Sequence, residues 1–413
     1  MKKNVWIINH YAGGMLFDQG GRHYNFAKYL KQQADYEPVI FCASSEHGKP
    51  RQYFDMQDLW QKHTSEEIGV PWVFVRARTY VGNGKQRVLN LIDFYKNVKR
   101  AAKKYTARHE KPDVIYASSP HPLTLVAGIQ LAKYYRVKCI CEVRDLWPES
   151  LIVYGLLKRN SLLAKALYAG EKWIYKKADA LIFTMAGGCD YIVERGWDRK
   201  IPHSKVHYIN NGVDLEVFDY NLNHYHHEDS DLDNPDIFKV VYAGSIRKGN
   251  KLELLLDLAK KVCNPRIRFL IWGDGDELPF LRQRVLDEHI ENVTFKGRVE
   301  KKYVPSIVSR ADLNYIDGNY SDLFRFGISL NKLFDYFAAG KPVIMPMKAN
   351  YNPVQEFSCG LTAEREELLP QLLEQAATLS EEEYQRMCLN ARKAAEEYDF
   401  KNLTQKLIQI LES

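Results

Sequence analysis

The stretch FGISLNKLFDYFAAGKPVI, Phe326 to Ile344, reads as a helix running straight into a buried strand. Ser329 can cap the helix entry, with Lys332 three residues on. Gly340 and Pro342 mark the exit, because glycine accepts the left-handed conformation common just past a helix and proline forbids continuation. Leu330, Leu333, Phe334 and Phe337 recur at the 3–4 spacing of a buried face. Asn331, Lys332 and Asp335 gather on one side, where a merely buried helix has no use for them. The polar side therefore faces either solvent or a ligand.

Outward from this stretch the same alternation repeats. Short β-branched and aromatic runs at Val5–Ile8, Pro38–Ala43, Trp72–Arg76, Asp113–Ala117, Cys139–Arg144, Ala180–Thr184 and Val206–Ile209 are separated by helical stretches. A second series runs through Lys239–Ala243, Arg268–Trp272, Val293–Phe295, Leu313–Ile316 and Pro342–Met345. Near-continuous apolar strands between helices imply parallel sheets covered on both faces. The chain is expected to be α/β, with two doubly wound Rossmann-like domains over 1–210 and 211–396 and a cleft between them. The seam falls at Asn210–Asp214, and an amphipathic C-terminal helix within 397–413 is expected to pack back on the first domain. The segment HYHHEDSDLDNPD, His224 to Asp236, reads as a solvated loop. Its His and Asp content lacks the spacing of a calcium loop or any fixed metal-ligand pattern.

The 413 residues suit two domains of ordinary size, and 46% hydrophobic with 27% charged residues describes a globular chain. Only four successive apolar residues, Val5–Ile8, precede Asn9, too few for a signal-peptide core, and no run approaches the ~20 of a membrane span. Cytoplasmic localisation is the expectation. Seven cysteines, an odd number without a C-x-x-C pair, read as reduced thiols. The net charge of +6 conceals an imbalance: residues 1–210 carry +14 and the remainder −8. A basic first half suggests an anionic partner there.

Ligands of doubly wound sheets lie beyond the carboxyl ends of the strands, so the informative residues follow strands. After the first strand, Gly13, Gly14 and Gly21 offer backbone N–H groups to a phosphate, or simply form a flexible loop. After Lys239–Ala243 come Gly244 and Ser245, then Arg247, Lys248 and Lys251. Small residues followed by cations suit a diphosphate, and equally suit a solvated helix start. Gly273 and Gly275 follow another strand, in a D-G-D turn that needs no metal. A helix beginning at Gly327–Ser329 would aim unpaired N–H groups at the same ligand. Asp335 on its polar side could accept hydrogen bonds from vicinal hydroxyls.

The ordered set INNGVDLEVF, YAGSIRKGNK, FLIWGDGDE, VTFKGRV and GISLNKLFDYFAAGKPVI, with SSPHPLTL, EVRDLWPES and EKWIYKKADALIFTM before it, resembles the retaining glycosyltransferases of family 4, which have the GT-B fold. The resemblance spans essentially the whole chain and is nearest to the branch acting in bacterial O-antigen, capsule and exopolysaccharide assembly, which transfers amino or deoxy sugars. It implies a UDP-sugar donor bound by the second domain and an acceptor bound by the first, with no cofactor and no metal. By position, Gly244, Ser245, Arg247, Lys251 and the N–H groups of Ile328 and Ser329 would surround the diphosphate. The main chain at Arg298 and Val299 would read the base, Asp335 would hold the ribose, and Lys332 would reach the diphosphate or sugar. Gly273, Gly275, Gly327 and Asn331 complete the candidate donor site. Many family members carry two Glu residues separated by seven others; here Gly327 and Asp335 stand at those places. Arg144 stands where a His often precedes the acceptor loop.

The implied chemistry is transfer with retention of configuration, by front-face attack as the diphosphate leaves. Cations and hydrogen-bond donors aimed at the leaving group lower that barrier most directly. Arg247, Lys251 and Lys332 are the candidates for this role. Asp145, Glu149 and His121 are candidates to orient or deprotonate the acceptor hydroxyl, with Arg144 beside them, and each has a structural alternative: a helix cap for His121 and a local ion pair for Arg144–Asp145. The cationic segments 80–109 and Leu151–Lys177, interleaved with aliphatic and aromatic residues, suit an anionic membrane face and a polyprenyl-diphosphate acceptor, or a core helix with a solvated side. The competing readings are a nucleotide-sugar epimerase or phosphorylase on the same fold, and a non-enzymatic protein binding an anionic surface. A nucleic-acid partner and dinucleotide oxidoreduction fit less well, the latter because its glycine fingerprint is absent.

Overall fold

A computed structural model of the chain describes residues 2–33, 35–316, 321–363 and 365–413. The chain divides into two compact units, Met1–Asn210 with Leu403–Ser413, and Asn211–Asn402.

The first unit holds eight strands: β1 (Lys3–Asn9), β2 (Tyr36–Ala43), β3 (Trp60–Thr64), β4 (Pro71–Val75), β5 (Val114–Ser118), β6 (Lys138–Val143), β7 (Ala180–Phe183) and β8 (Val206–Tyr208). They form one sheet in the order β3-β4-β2-β1-β5-β6-β7-β8. Every pairing is parallel except β3 with β4. The antiparallel edge strand β3 is not legible as an apolar run. Its sequence WQKHT lies on an edge with no residue fully buried, so it needs no apolar face. The interior strands are buried on both faces, and Trp6 of β1 is held between Phe41, Tyr105 and Tyr135 at centroid distances of 4.7, 5.9 and 5.3 Å. The helices Lys85–Tyr105 and Leu162–Lys177 both pack against the helix Pro122–Tyr135, which places them in one layer. The C-terminal helix Phe400–Glu412 brings Glu412 within 2.6 Å of the Tyr36 hydroxyl, which donates to it.

The second unit carries β9 (Phe238–Ala243), β10 (Ile267–Trp272), β11 (Val293–Gly297), β12 (Leu313–Tyr315), β13 (Val343–Met345) and β14 (Gly360–Thr362). Their order is β11-β10-β9-β12-β13-β14, all parallel. From β9 the chain winds outward to β10 and β11, then returns to the other side of β9 through β12. The switch point of this sheet is therefore between β9 and β12, where doubly wound sheets open a crevice for ligands. β14 was not legible from sequence, since GLT at the sheet edge has no fully buried residue and opens on a glycine.

The His224–Asp236 segment is a loop with His226, Glu228 and Asp236 exposed, as expected, but several of its acids are not left to water. Asp229 and Asp231 both pair with Lys296, at 2.8 and 2.7 Å, and Asp233 pairs with Arg310 at 2.7 Å. His227 Nε2 accepts from the Trp272 indole at 3.3 Å. Its acidic residues serve as anchors for cations of the unit's own strands and helices. Among the described residues no cluster of three or more metal-ligating side chains occurs, and no helix is long and apolar enough to cross a membrane.

Candidate active site

The stretch Phe326–Ile344 forms a helix over Asn331–Ala338, later than the Gly327–Ser329 start that sequence suggests. Leu330 occupies the N-cap position without a side-chain cap, and Ser329 does not cap the helix. The Ser329 hydroxyl instead accepts from the Asn211 N–H at 3.4 Å, while Asn211 Nδ2 donates to the Ser329 carbonyl at 3.2 Å. The Asn-Asn-Gly turn at the unit's start thus holds the lead-in to the helix. Gly327, with φ of 102°, and Ile328 belong to that extended lead-in, so the helix start lies at Asn331 and not at Gly327–Ser329. Leu333, Phe334, Tyr336, Phe337 and Ala338 are buried. Gly340, at φ of 61°, closes the helix as expected.

This helix is docked on the carboxyl end of β9 by one side chain. The Tyr336 hydroxyl accepts from the Ala243 N–H at 3.1 Å. One turn earlier, Lys332 extends over the turn that follows β9. Its Nζ lies 2.9 Å from the Tyr242 hydroxyl and 4.5 Å from the ring centroid. A Cβ added at Gly244 would sit 3.0 Å from Lys332 Cε and 3.2 Å from Nζ. Gly244 therefore keeps open the space the ammonium occupies. Tyr242 in turn donates to the Ser245 carbonyl at 2.7 Å and accepts from Asn250 at 3.2 Å, which fixes the turn itself. Arg247 and Lys251 are exposed, with no ion pair or hydrogen bond from their side chains to another described residue. Together these groups place cations along a turn whose main chain is held by its own hydrogen bonds at the switch point.

Gly273 and Gly275 have a tighter requirement than ligand access. A Cβ on Gly273 would lie 1.8 Å from the Gly244 carbonyl oxygen, and one on Gly275 would lie 2.0 Å from that of Ile246. The parallel ladder continues past the strand ends here, with Gly244 N–H to Trp272 O at 3.0 Å and Ile246 N–H to Asp274 O at 2.9 Å. These glycines let the two loops lie side by side, so their direct contribution is to shape the Gly244–Arg247 turn. Arg298, exposed, and Val299 follow β11 next door.

Asp335 lies three residues beyond Lys332 and four beyond the exposed Asn331, on the same side of the helix. Its carboxylate makes no hydrogen bond or ion pair with another described residue. Burial pushes its pKa up to about 6, against a smaller opposing pull from Lys301. A partly covered carboxylate without a donor is one of the few arrangements a folded chain tolerates only at a cost. A cavity of the unit lies elsewhere, beyond β13 and β14, and is lined by Lys348, Asn350, Tyr351 and Gln355 among others. None of the donor-site candidates lines it.

In the first unit Gly13 and Gly14 begin a short helix, Gly13–Asp18, beneath Tyr53, rather than an open glycine loop. A Cβ on Gly13 would meet the Tyr53 ring at 2.6 Å. Gly21 is the N-cap of the helix Arg22–Gln32. His121 is buried; its Nε2 lies 3.1 Å from His10 Nδ1 and 3.2 Å from the Thr124 hydroxyl, and its side chain does not cap the helix it precedes. Burial, with Arg87 nearby, pushes its pKa to about 3. So weak a base is poorly matched to taking an acceptor proton near neutral pH. Glu149 is likewise committed: Arg159 donates to both its oxygens, at 3.1 and 2.6 Å, and the Tyr168 hydroxyl donates as well. It braces its loop.

Asp145 differs from both. Its carboxylate has no hydrogen bond or ion pair to a described residue, Arg144 included. Burial raises its pKa while Arg144 and Arg87 lower it. It lines a narrow recess with Ser119, Pro122, Val143, Trp147 and Glu171. Arg144 donates its main-chain N–H to the Ser119 hydroxyl at 2.8 Å.

Sequence reading missed the buried polar network beneath this recess. Glu142 of β6 is fully buried and receives Arg22 Nε at 2.7 Å, the Ser118 hydroxyl at 2.7 Å and the Tyr116 hydroxyl. Although burial opposes ionisation, Arg22 and His23 hold the Glu142 carboxyl well below its usual range. Arg22 also donates to the Ile209 carbonyl at 2.9 Å and to that of Asn210. A Glu set between Cys141 and Val143 in the buried part of the strand KCICEV was the available signal.

The sequence model of Glycosyltransferase Family 4 matches residues 22–217, and that of the group 1 glycosyl transferases matches residues 237–381. The chain belongs to the family 4 glycosyltransferases. Among curated relatives of this family 4 member, the "Probable glycosyltransferase WbjE" of Pseudomonas aeruginosa is 25% identical over 253 residues, 59% of this chain and 60% of that one. The matched stretch thus spans less than two thirds of the relative. Sucrose-phosphate synthase from Thermosynechococcus elongatus superposes with a TM-score of 0.71 at 16% identity, covering 100% of this chain and 98% of that one. Anabaena HepE in complex with UDP superposes at 0.65 and 14% identity over 100% of each chain, and HepE is also solved with UDP-glucose. At such identities the likeness establishes the fold, which is GT-B.

Proposed function

We propose that this family 4 member transfers a sugar, an N-acetylamino or deoxy sugar by its resemblance, from a UDP-sugar to a hydroxyl of a glycan or lipid-linked acceptor in bacterial surface-polysaccharide assembly. The observation that carries the reading is the placement of Lys332 over Gly244 at the β9–β12 switch point, with Arg247 and Lys251 exposed three and seven residues beyond Gly244. A diphosphate laid on the Gly244–Ser245 main chain would meet three cations and the start of the Asn331–Ala338 helix. Asp335 would accept the ribose hydroxyls and so gain the donors it lacks. The binding of UDP and UDP-glucose by HepE is consistent with this donor class.

In the reaction the bond from the anomeric carbon to the diphosphate oxygen breaks and one to the acceptor oxygen forms on the same face. Arg247, Lys251 and Lys332 offset the charge that develops on the leaving oxygen. The acceptor proton passes to the leaving diphosphate, and Asp145 orients the acceptor hydroxyl. No step calls for a metal. A cytoplasmic enzyme meeting its acceptor at the inner face of the plasma membrane fits the basic first half.

Calorimetric titration with UDP in excess EDTA, beside Asp335→Ala, tests the donor site. Binding that survives EDTA and drops at least tenfold in the variant is expected. Absence of UDP binding by the intact chain would overturn the reading. Release of UDP from a UDP-sugar only when an acceptor is supplied would separate transfer from epimerisation.

A further inference from the structure

We infer that the cavity beyond β13 and β14 is a site for the acetamido group of a sugar, with Lys348, Asn350, Gln355 and Thr362 as its polar contacts. The inference rests on the donor reading above, whose sugar end it names, and it decides there between an acetamido and a deoxy sugar.

The cavity holds about 370 Å³, within the range of about 300–1,000 Å³ for small-molecule sites. The sheet sets its position. The order β9-β12-β13-β14 is parallel throughout, so the cavity shares the carboxyl edge with the Gly244 turn. Two strand spacings, about 10 Å, separate β13 from β9. That offset suits the sugar of a donor whose diphosphate lies on the turn. A shared acceptor makes the connection local. The Phe324 carbonyl accepts from the Gly327 N–H at 3.1 Å and from the Asn350 N–H at 3.0 Å. One oxygen thus pins the lead-in of the Asn331–Ala338 helix to the wall of the cavity.

The lining matches an acetamido group part by part. Met347, Ala349 and Ala363 are buried and form an apolar floor for its methyl. The Asn350 amide and the Lys348 ammonium make no hydrogen bond or ion pair with another described residue, and either can donate to its carbonyl. Gln355 Nε2 donates to the Thr362 hydroxyl at 2.8 Å. That bond leaves Gln355 Oε1 to accept the ligand's N–H and the Thr362 hydrogen to donate. None of the described lining residues is acidic, so a free amino sugar finds no counter-charge. A deoxy position would leave these donors and acceptors unpaired where it displaces water, which is costly.

The wall is set before any ligand arrives. The Asn352 side chain accepts from the Val354 N–H at 3.0 Å and caps the turn Pro353–Glu356. Tyr351, just before it, holds φ of 51°, a strained value for a bulky residue and of the kind that gathers at binding sites.

Calorimetric titration of the full chain with UDP, UDP-glucose, UDP-glucuronate, UDP-N-acetylglucosamine and UDP-N-acetylgalactosamine is the test. One acetamido donor should bind about tenfold tighter than UDP-glucose, the worth of one or two net hydrogen bonds. In Asn350→Ala with Gln355→Ala that preference should disappear while UDP affinity stays unchanged, which also shows the variant to be folded. Thr362→Val, close in shape to threonine, is the second variant and should lower the preference with UDP affinity again unchanged. Equal binding of UDP-glucose and both acetamido donors by the unaltered chain would overturn the inference and leave the donor site standing, whereas a chain that does not bind UDP loses both. Tightest binding of UDP-glucuronate would overturn it in favour of a carboxylate read by Lys348. A double variant that loses UDP affinity as far as acetamido-donor affinity would overturn it by showing that the loop supports the fold.

Discussion

Lys332 Nζ rests 2.9 Å from the Tyr242 hydroxyl and above its ring, at 4.5 Å from the centroid. The two residues come from different elements, the Asn331–Ala338 helix and strand β9, and meet where the open turn begins. The tyrosine orients the ammonium by a hydrogen bond and by its π face, so a flexible side chain is set before any ligand arrives. The same hydroxyl holds the Ser245 carbonyl. One phenol thus positions both the cation and the main chain of the proposed diphosphate site.

Removing the ammonium should cost what a charge-assisted hydrogen bond is worth, about 1.5–3 kcal/mol, or roughly 10- to 100-fold in UDP affinity for Lys332→Ala. Tyr242→Phe keeps the ring and loses the hydroxyl, so about 1 kcal/mol is expected. Calorimetry on both variants checks this. Equal affinity in Lys332→Ala and the unaltered chain would remove lysine from the site.

Asp335 makes a prediction with opposite signs for stability and binding. Its carboxyl holds a proton in the folded chain up to about pH 6, against about 3.9 when unfolded. The folded state therefore binds more protons across that window, and stability falls as pH rises through it. Asp335→Asn removes the loss. The variant should gain about 1 kcal/mol at pH 7.5, a figure kept small because the group is partly open to water, and nothing at pH 4. UDP affinity should fall in the same protein. Urea unfolding at several pH values, with calorimetry at pH 7.5, reads both. A variant that loses stability at neutral pH would show the carboxylate to be a structural group.

The alternation of apolar strands with helices was enough to read two parallel sheets, because strands buried on both faces leave continuous apolar runs. Strand β3 was invisible for the converse reason: an edge strand such as WQKHT has little to bury. The helix exit at Gly340 and Pro342 was legible, since backbone conformation dictates residue type there. Its entry was placed two to four residues early because Ser329 looks like a cap but is engaged by Asn211, far away in sequence. The polar stripe of Lys332 and Asp335 could be seen in the spacing; what it faces could not, since Tyr242 and Gly244 lie about ninety residues earlier. The commitments of His121 and Glu149 were hidden for a related reason. Partners that bury or neutralise a side chain, His10 for one and Arg159 with Tyr168 for the other, carry no local signature.

Asp145 and His121 can be separated by kinetics. Asp145→Asn should lower turnover roughly 10- to 100-fold without altering UDP affinity, the worth of about 1.5–3 kcal/mol for the charge-assisted hydrogen bond that orients the acceptor hydroxyl. His121→Gln should cost about 1–2 kcal/mol of stability through its broken bonds to His10 and Thr124, leaving the pH profile of turnover in place. If the His121 variant instead shifts that profile, its imidazole handles the proton.

Glu171 shares the recess with Asp145, and its protonation decides how much negative charge that recess carries. Burial raises its pKa to about 8, even though the hydroxyls of Tyr175 and Tyr191 donate to it at 2.7 and 2.8 Å and pull the other way. At neutral pH it is mostly uncharged and adds little negative charge beside Asp145. The unfolded chain loses this proton near pH 4.3, so the folded state binds more protons from there to about 8 and stability declines as pH rises across that interval. Glu171→Gln keeps the shape and fixes the neutral form. Its gain should therefore be absent at pH 4, grow through neutrality and level off above pH 8. About 2 kcal/mol is expected at that plateau, reduced from the full linkage value because the amide must turn one tyrosine hydroxyl from donor to acceptor. Turnover at pH 7 should be nearly unchanged, because the glutamate was already neutral there. Denaturant unfolding from pH 4 to 9 checks the first expectation and initial rates at pH 7 the second. A large loss of turnover in a stable Glu171→Gln protein would mean that the ionised form, and not the neutral one, works beside Asp145.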